Sequence, residues 1–220
     1  MYETLARRGT AIALVASPLV WLASALVNPG EQSKTAAQLD VITAHQNRWS
    51  AAAILLVIGT VLLVPGLVAA ARVAGERSAR LTFVALTLLG FGTINSIGDC
   101  FNQLVYGVLA KTGDRQAMLA LSEKLDSDPS SGILYAVGGL AFTLGGVLLG
   151  IAIARSRRVP VWAGVLVSLS TFVNIVGWST ANDLVIAASC VPMALAFGAV
   201  ARESVDSAAS PSTAPAYSLG

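Results

Sequence analysis

The sequence predicts an all-α, polytopic membrane protein: a bundle of six transmembrane helices with two outer interfacial helices. Three observations carry that expectation. Of 220 residues, 55% are hydrophobic and only 12% charged, about half the ~25% charged share of a soluble domain. Mean hydropathy is +0.72. The charges that remain are gathered between apolar blocks of roughly 20 residues, the length a helix needs to cross a ~30 Å hydrocarbon core. The formal net charge of +2 gives no basis for a nucleic-acid partner.

The spans read as about 10–28, 49–71, 81–110, 131–154, 160–180 and 183–201. Arg7-Arg8 ahead of the first span and Ala23-Ser24-Ala25 near its end also fit a signal peptide; a retained helix is expected. In the connection after span 1, Thr35-Ala-Ala-Gln38 reads as a capping box opening a short amphipathic helix through about Asn47. In the connection after span 3, Asp114 is placed to cap a similar helix carrying Met118, Leu119, Leu121 and Leu125, which Pro129 stops. Each of these helices precedes a span ending in Ala-Arg, "LVAAAR" at 67–72 and "GIAIAR" at 150–155. Spans 1–2 and 3–4 thus read as tandem hairpins, each with a helix lying on the membrane surface. Spans 5–6 form a third hairpin joined by the tight turn Ser179–Asn182.

Basic residues set the expected orientation. With the N-terminus inside, nine arginines (Arg7, Arg8, Arg72, Arg77, Arg80, Arg155, Arg157, Arg158 and Arg202) lie inside. Five cations (Lys34, Arg48, Lys111, Arg115 and Lys124) lie outside among Glu31, Asp40, Asp114, Glu123, Asp126 and Asp128. The expectation is a multi-pass protein of the cell membrane with both termini cytoplasmic. The Ser-, Ala- and Pro-rich segment 203–220 reads as a disordered tail. Gly139, Gly146 and Gly150 share one face of span 4, and the Gly146-x-x-x-Gly150 spacing lets helix backbones approach closely. A second copy of the chain could pack on that face to form a homo-oligomer.

The chemistry concentrates in "TINSIGDCFNQLVYG", residues 93–107, inside span 3. The 31 residues from Arg80 to Lys111 give roughly 46 Å of helix, and Asp99 lies roughly 18 Å below Lys111. Asn95, Asp99, Asn102 and Tyr106 follow at i, i+4, i+7 and i+11, one helical face. A carboxylate at the centre of a span costs about 2.5–3.5 kcal/mol on insertion scales. Low dielectric disfavours the charged form, which makes Asp99 a candidate acid that Asn95 and Asn102 could orient. The competing reading is interhelical glue, with Asp99 bonded to a partner on span 5 or 6.

Span 5 offers a facing stripe of Thr171, Asn174 and Trp178, and Asp183 opens span 6 beside Asn182. Asp183 is either a first-turn acid that complements the helix dipole or a second catalytic carboxyl. His45 either overhangs the pocket as a proton relay or is an interface residue beside Arg48 and Trp49. Trp21, Phe101, Tyr106, Tyr135, Phe172 and Trp178 fall in outer halves of spans, where an aromatic belt is expected. Trp21 and Phe172 sit deep enough to wall a cationic intermediate instead.

Several chemistries fail residue by residue. No H-E-x-x-H supports a metalloprotease, and no G-x-S-x-G supports a hydrolase. One histidine rules out a His-rich metal cluster or haem held by two histidines. Cys100 and Cys190 lie in apolar segments without a C-x-x-C and read as small hydrophobes. Asp126-Ser-Asp128 reads as a solvated loop rather than a cation site. Asn95-x-x-x-Asp99 resembles the opening of the membrane aromatic prenyltransferase motif, but Gln103 stands where the next acid is required. No metal site and no cofactor is expected.

What remains is metal-free acid–base chemistry on a lipophilic small molecule in contact with membrane lipid. In its six-helix size and its buried acids Asp99 and Asp183 with aromatic neighbours, the chain resembles the small integral-membrane terpene cyclases of meroterpenoid pathways. The resemblance implies that Asp99 protonates an alkene or epoxide of an isoprenoid and that Asp183 assists or takes the final proton. Asn95, Asn102 and Asn174 would position the acids, and Trp21, Phe172 and Trp178 would shield the cation. Two other classes stay open. One is a small transporter with Asp99 as its proton- or cation-coupling site; the other is a non-catalytic membrane subunit or lipid-binding protein.

Overall fold

The computed structural model describes residues 2–30, 35–75, 77–110 and 115–209. Among these the chain forms eight helices: α1 (Tyr2–Val27), α2 (Thr35–Ala44), α3 (Gln46–Ala74), α4 (Ala79–Leu109), α5 (Arg115–Ser127), α6 (Pro129–Ser156), α7 (Val161–Ser179) and α8 (Asp183–Ala209). Six of them, all but α2 and α5, are long and apolar enough to cross a membrane. The chain is a multi-pass membrane protein. Ile12, Ile58, Phe91, Leu144, Leu169 and Leu195 are exposed on the outer faces, as a lipid-facing surface requires.

Local chemistry fixes the helix ends. Asp128 accepts a hydrogen bond from the Ser130 N–H at 3.2 Å, with Pro129 in the first turn where its missing N–H costs nothing. Asp128 is therefore a helix cap. Asn182 caps α8 by accepting from the Leu184 and Val185 N–H groups, after Ala181 turns the chain at φ 48°. The expected caps at Thr35 and Asp114, and the positions of Glu31, Lys34 and Lys111, lie outside the described residues or side chains. Two boundaries differ from the sequence expectation. Helix α1 begins at Tyr2, where Arg7 pairs with Glu3 one turn away. Helix α8 continues through Ala209, supported by the buried Ser204 and an Arg202–Asp206 pair, so the expected tail begins as helix. Residues 210–220 lie outside the described residues.

The six long helices pack as a closed ring in the order α1, α3, α4, α6, α7, α8 and back to α1. Each expected hairpin (α1 with α3, α4 with α6, α7 with α8) is a pair of neighbours. Helix α3 also crosses the interior to touch α6 and α8. At the arginine-rich end the interior is filled by one apolar cluster that includes Leu63, Leu89, Leu149, Ile153, Val167 and Phe197. Fully buried Ala69, Ala70, Ala152 and Ala163 let the backbones close up there.

The opposite end is roofed by α2 and α5. Leu39, Ile42 and Met118 bury against Trp49, with Tyr106 packed beside them, and Arg115 pairs with Asp40 across the two helices.

The glycine face of α6 is used inside the chain. A Cβ at Gly139 would lie 3.2 Å from Ile175, one at Gly146 would meet Thr171, and one at Gly150 would meet Ser168 and the Gly164 carbonyl. All four are on α7. The face expected to pair with a second copy is therefore occupied by α7.

Candidate functional site

At the α2/α5 end the interior opens into a cavity with about 110 Å³ of space accessible to water-sized molecules, several times the ~10–15 Å³ that one water needs. All six ring helices contribute to its wall. The cause is side-chain size. Ser24 and Ala25 on α1, Ala52 on α3, Ser96 on α4 and Gly139 on α6 are small residues at one level of the bundle, where bulkier ones would have filled the space.

Helix α4 contributes Ser96, Asp99, Cys100 and Gln103 to the wall. This is not the Asn95–Asp99–Asn102–Tyr106 face that sequence polarity selects; the two faces meet at Asp99. Asn95 instead lies against α6, beside Gly138, where its side chain fills the space a Cβ would take. Tyr106 packs under the α2/α5 roof. A residue step turns a helix by about 100°, so Asn95 falls between α4 and α6 while its neighbour Ser96 faces the void.

Asp99 is held by Tyr135. The phenol O–H donates to Asp99 Oδ1 at 2.6 Å, at the short end of O–H···O distances, and Asn102 lies beside the same phenol. Tyr135, rather than Asn95 or Asn102, is thus the partner of the carboxyl. Tyr135 reads from sequence as an aromatic-belt residue, and it is 46% exposed, so Asp99 sits between the cavity and the outer surface of the α4/α6 pair. The glue reading expected a partner on α7 or α8; among the described residues the hydrogen-bond partner of Asp99 is Tyr135 on α6 instead.

The second carboxyl reaches the same cavity. Asp183 lines it together with Asn28, Asn174 and Trp178, and the Asn28 amide donates to Asp183 Oδ1 at 3.1 Å. The Asn174 amide donates to Ser189 Oγ at 3.1 Å. Arg48 braces the mouth by donating to the carbonyls of Val27 and Asn28, a cation at a helix C-terminus. Asn28 was missed from sequence because it stands alone at the end of a greasy span; its signal was sharing a membrane level with Asp183. Asn28→Ala is expected to leave the bundle folded, at a cost of about 1 kcal/mol, while removing one hydrogen bond that orients Asp183 and so increasing its side-chain motion. Thermal unfolding, followed with a dye that reacts with the buried thiols of Cys100 and Cys190, checks the first part. A side-chain order measurement at Asp183 checks the second.

Trp21 also lines the cavity. Its indole N–H donates to Thr60 Oγ1 at 3.2 Å, and its ring meets Phe142 edge-on, centroids 6.0 Å apart. With Phe142 and Trp178 it supplies the aromatic wall. Besides Asn95, Asn102 and Tyr106, two further expected residues do not line the cavity. Phe172 is 58% exposed on the outer face, because it follows the buried Thr171 by one residue and so points out of the bundle. His45 is exposed at the α2–α3 junction and does not line the cavity. Among the described residues no cluster of three His, Cys, Asp or Glu could hold a metal ion.

The family model for a domain of unknown function, DUF4386, matches residues 10–205, and the chain belongs to this family. No curated protein and no solved structure matches it.

Proposed function

We propose that this DUF4386 protein is an integral-membrane enzyme that performs metal-free acid–base isomerisation or cyclisation on a lipophilic isoprenoid. The observation that carries the reading is the placement of two carboxyls, Asp99 and Asp183, in the wall of one cavity, with an aromatic lining between them. Each carboxyl has its own orienting donor, Tyr135 or Asn28. Two carboxyls in different settings can divide the roles of acid and base.

In the proposed step the Asp99 O–H bond breaks as a C–H bond forms at a substrate alkene, leaving a carbocation at the more substituted carbon. Tyr135 engages Oδ1, which leaves Oδ2 for the transferable proton. The faces of Trp21, Phe142 and Trp178 stabilise the cation. Asp183 as carboxylate removes a proton from an adjacent carbon, and that proton returns to Asp99 through water in the cavity. Substrate and product have the same formula, so no oxidant or cofactor enters. The cavity suits the reacting end of a chain, with its tail in the bilayer beside Tyr135. The apolar cluster that fills the other half of the bundle favours this one-sided site over a transport path. The excess of arginine at the filled end supports cytoplasmic termini in the cell membrane and a cavity in the outer half.

Trp21 and Trp178 line the cavity and Trp162 does not, which provides a test of occupancy. Titrating polyprenyl alcohols or prenylated quinones into nanodisc-held protein is expected to quench indole fluorescence. The quenching should survive Trp162→Phe and vanish in Trp21→Phe/Trp178→Phe. Quenching equal in all three proteins, or none with any isoprenoid, sinks the reading. Tyr135→Phe is expected to lower turnover roughly tenfold, about 1.4 kcal/mol, since it misorients the acid without removing it.

A further inference from the structure

We propose that the arginine-rich end of the bundle carries a binding site for the phosphate headgroup of an anionic phospholipid. The observation is an open groove of about 870 Å³ where the start of α4 meets the end of α6, lined by Arg77, Arg80, Arg155 and Arg157. It continues through Arg77 and Arg157 into a second hollow that adds Arg158. Among the described residues, no carboxylate lies within ion-pair distance of Arg77, Arg80, Arg155 or Arg157. Two other arginines at this end do have partners: Arg7 pairs with Glu3, and Arg202 with Asp206.

The ordinary reasons for arginine at such a place do not account for this arrangement. A cation in the last turn complements a helix dipole, which explains Arg155. Retention of positive charge on one side of a membrane explains arginines at this end in general. Neither explains why four exposed arginines, without an ion-pair partner among the described residues, line one groove, where their mutual repulsion is unfavourable until an anion enters. Arginine presents a planar fork of donors that matches phosphate oxygens.

The backbone at Arg157 supports the same conclusion. It closes α6 with φ 55° and ψ 13°, a left-handed conformation that glycine adopts freely and a branching side chain resists. The chain holds an arginine where glycine would fold more easily, and that arginine lines both hollows. The Arg158 guanidinium donates to the Arg72 carbonyl at 3.2 Å, which fixes the α6–α7 turn on the end of α3.

The level in the bundle favours a lipid over a free anion. Leu81 lines the groove. Just beyond it on α4, Phe83 and Val84 are 72% and 47% exposed, and Val161 and Trp162 at the start of α7 are exposed as well. A phosphate in the groove would thus continue into acyl chains along an apolar outer surface, with Trp162 at the interface. This proposal is independent of the catalytic reading, because it concerns the opposite end of the bundle.

The test is thermal stability of the purified protein with added phosphatidylglycerol, phosphatidylcholine or inorganic phosphate at matched phosphorus concentration. Phosphatidylglycerol alone is expected to raise the Tm. Arg77→Gln/Arg157→Gly should lose more than half of that rise while its Tm in phosphatidylcholine is kept, since glycine relieves the left-handed turn. Arg8→Gln, an exposed arginine at the same end but outside the groove, should keep the full rise. The proposal is overturned if phosphatidylglycerol gives no rise, if inorganic phosphate gives an equal one, or if both variants lose the same share.

Discussion

Asp99→Asn is expected to reduce turnover by roughly 10²–10⁴-fold, the usual contribution of a positioned general acid, while the bundle remains folded. The substitution conserves shape and removes the transferable proton. The asparagine carbonyl can still accept the Tyr135 hydrogen bond now made at 2.6 Å to Oδ1, so the α4–α6 contact keeps its polar link. An amide also avoids the cost of a carboxyl in the low-dielectric interior. Unfolding of the variant is therefore expected at the wild-type temperature or above it. Turnover then separates catalysis from glue: because asparagine keeps the Tyr135 bond, a structural role predicts unchanged stability and unchanged chemistry, and the catalytic role predicts lost chemistry in a folded protein. Asp183→Asn should also lower turnover, with a smaller loss, because cavity water can accept the final proton in its place.

Gly150→Val is expected to be strongly destabilising, costing about 3 kcal/mol or more, at the top of the usual range for overpacking. The reason is what its side chain would meet. A Cβ at Gly150 would run into the Gly164 carbonyl and Ser168, and one at Gly164 would lie 2.7 Å from the Ala154 backbone nitrogen. Where the obstacle is backbone, no rotamer change relieves it, and α6 and α7 must separate. Ser168 Oγ would then lose its 3.1 Å hydrogen bond to the Val147 carbonyl across the same interface. At Gly146 the obstacle is the Thr171 side chain, so Gly146→Ala should cost less. Labelling of Cys100 and Cys190, buried in the native bundle, reports both: the Gly150 variant should label at a lower temperature than the Gly146 variant.

Much of the architecture is legible in the sequence because membrane insertion is governed by composition and length, which single spans display. The hairpin pattern is legible too, since short turns force neighbours. The site is only partly legible. Asp99, Asn174 and Trp21 can be found because polar or amphipathic residues inside a span are conspicuous, and Trp178 and Asp183 because they flank a tight turn between two spans. Which face of α4 lines the void is not, because Asn95 and Ser96 are one residue apart and only the packing of α6 decides between them. Phe172 fails for the same reason: neighbouring Thr171 takes the inward position. Tyr135 and Asn28 act through partners on other helices, Asp99 and Asp183, and such pairings are not written in local spacing. At the C-terminus, the serines and the prolines at 211 and 215 give the last 18 residues the composition of a tail and hide a helical stretch that runs to Ala209.

In the proposed reaction the proton that Asp99 delivers to carbon of a membrane isoprenoid exchanges with water in the cavity. The most direct test is to incubate nanodisc-held protein with a total lipid extract in deuterium oxide and follow carbon-bound deuterium by mass spectrometry. The account predicts that one isoprenoid gains deuterium with the wild-type protein and does not gain it with Asp99→Asn. Deuterium appearing equally with both proteins, or in no isoprenoid with the wild type, would contradict it.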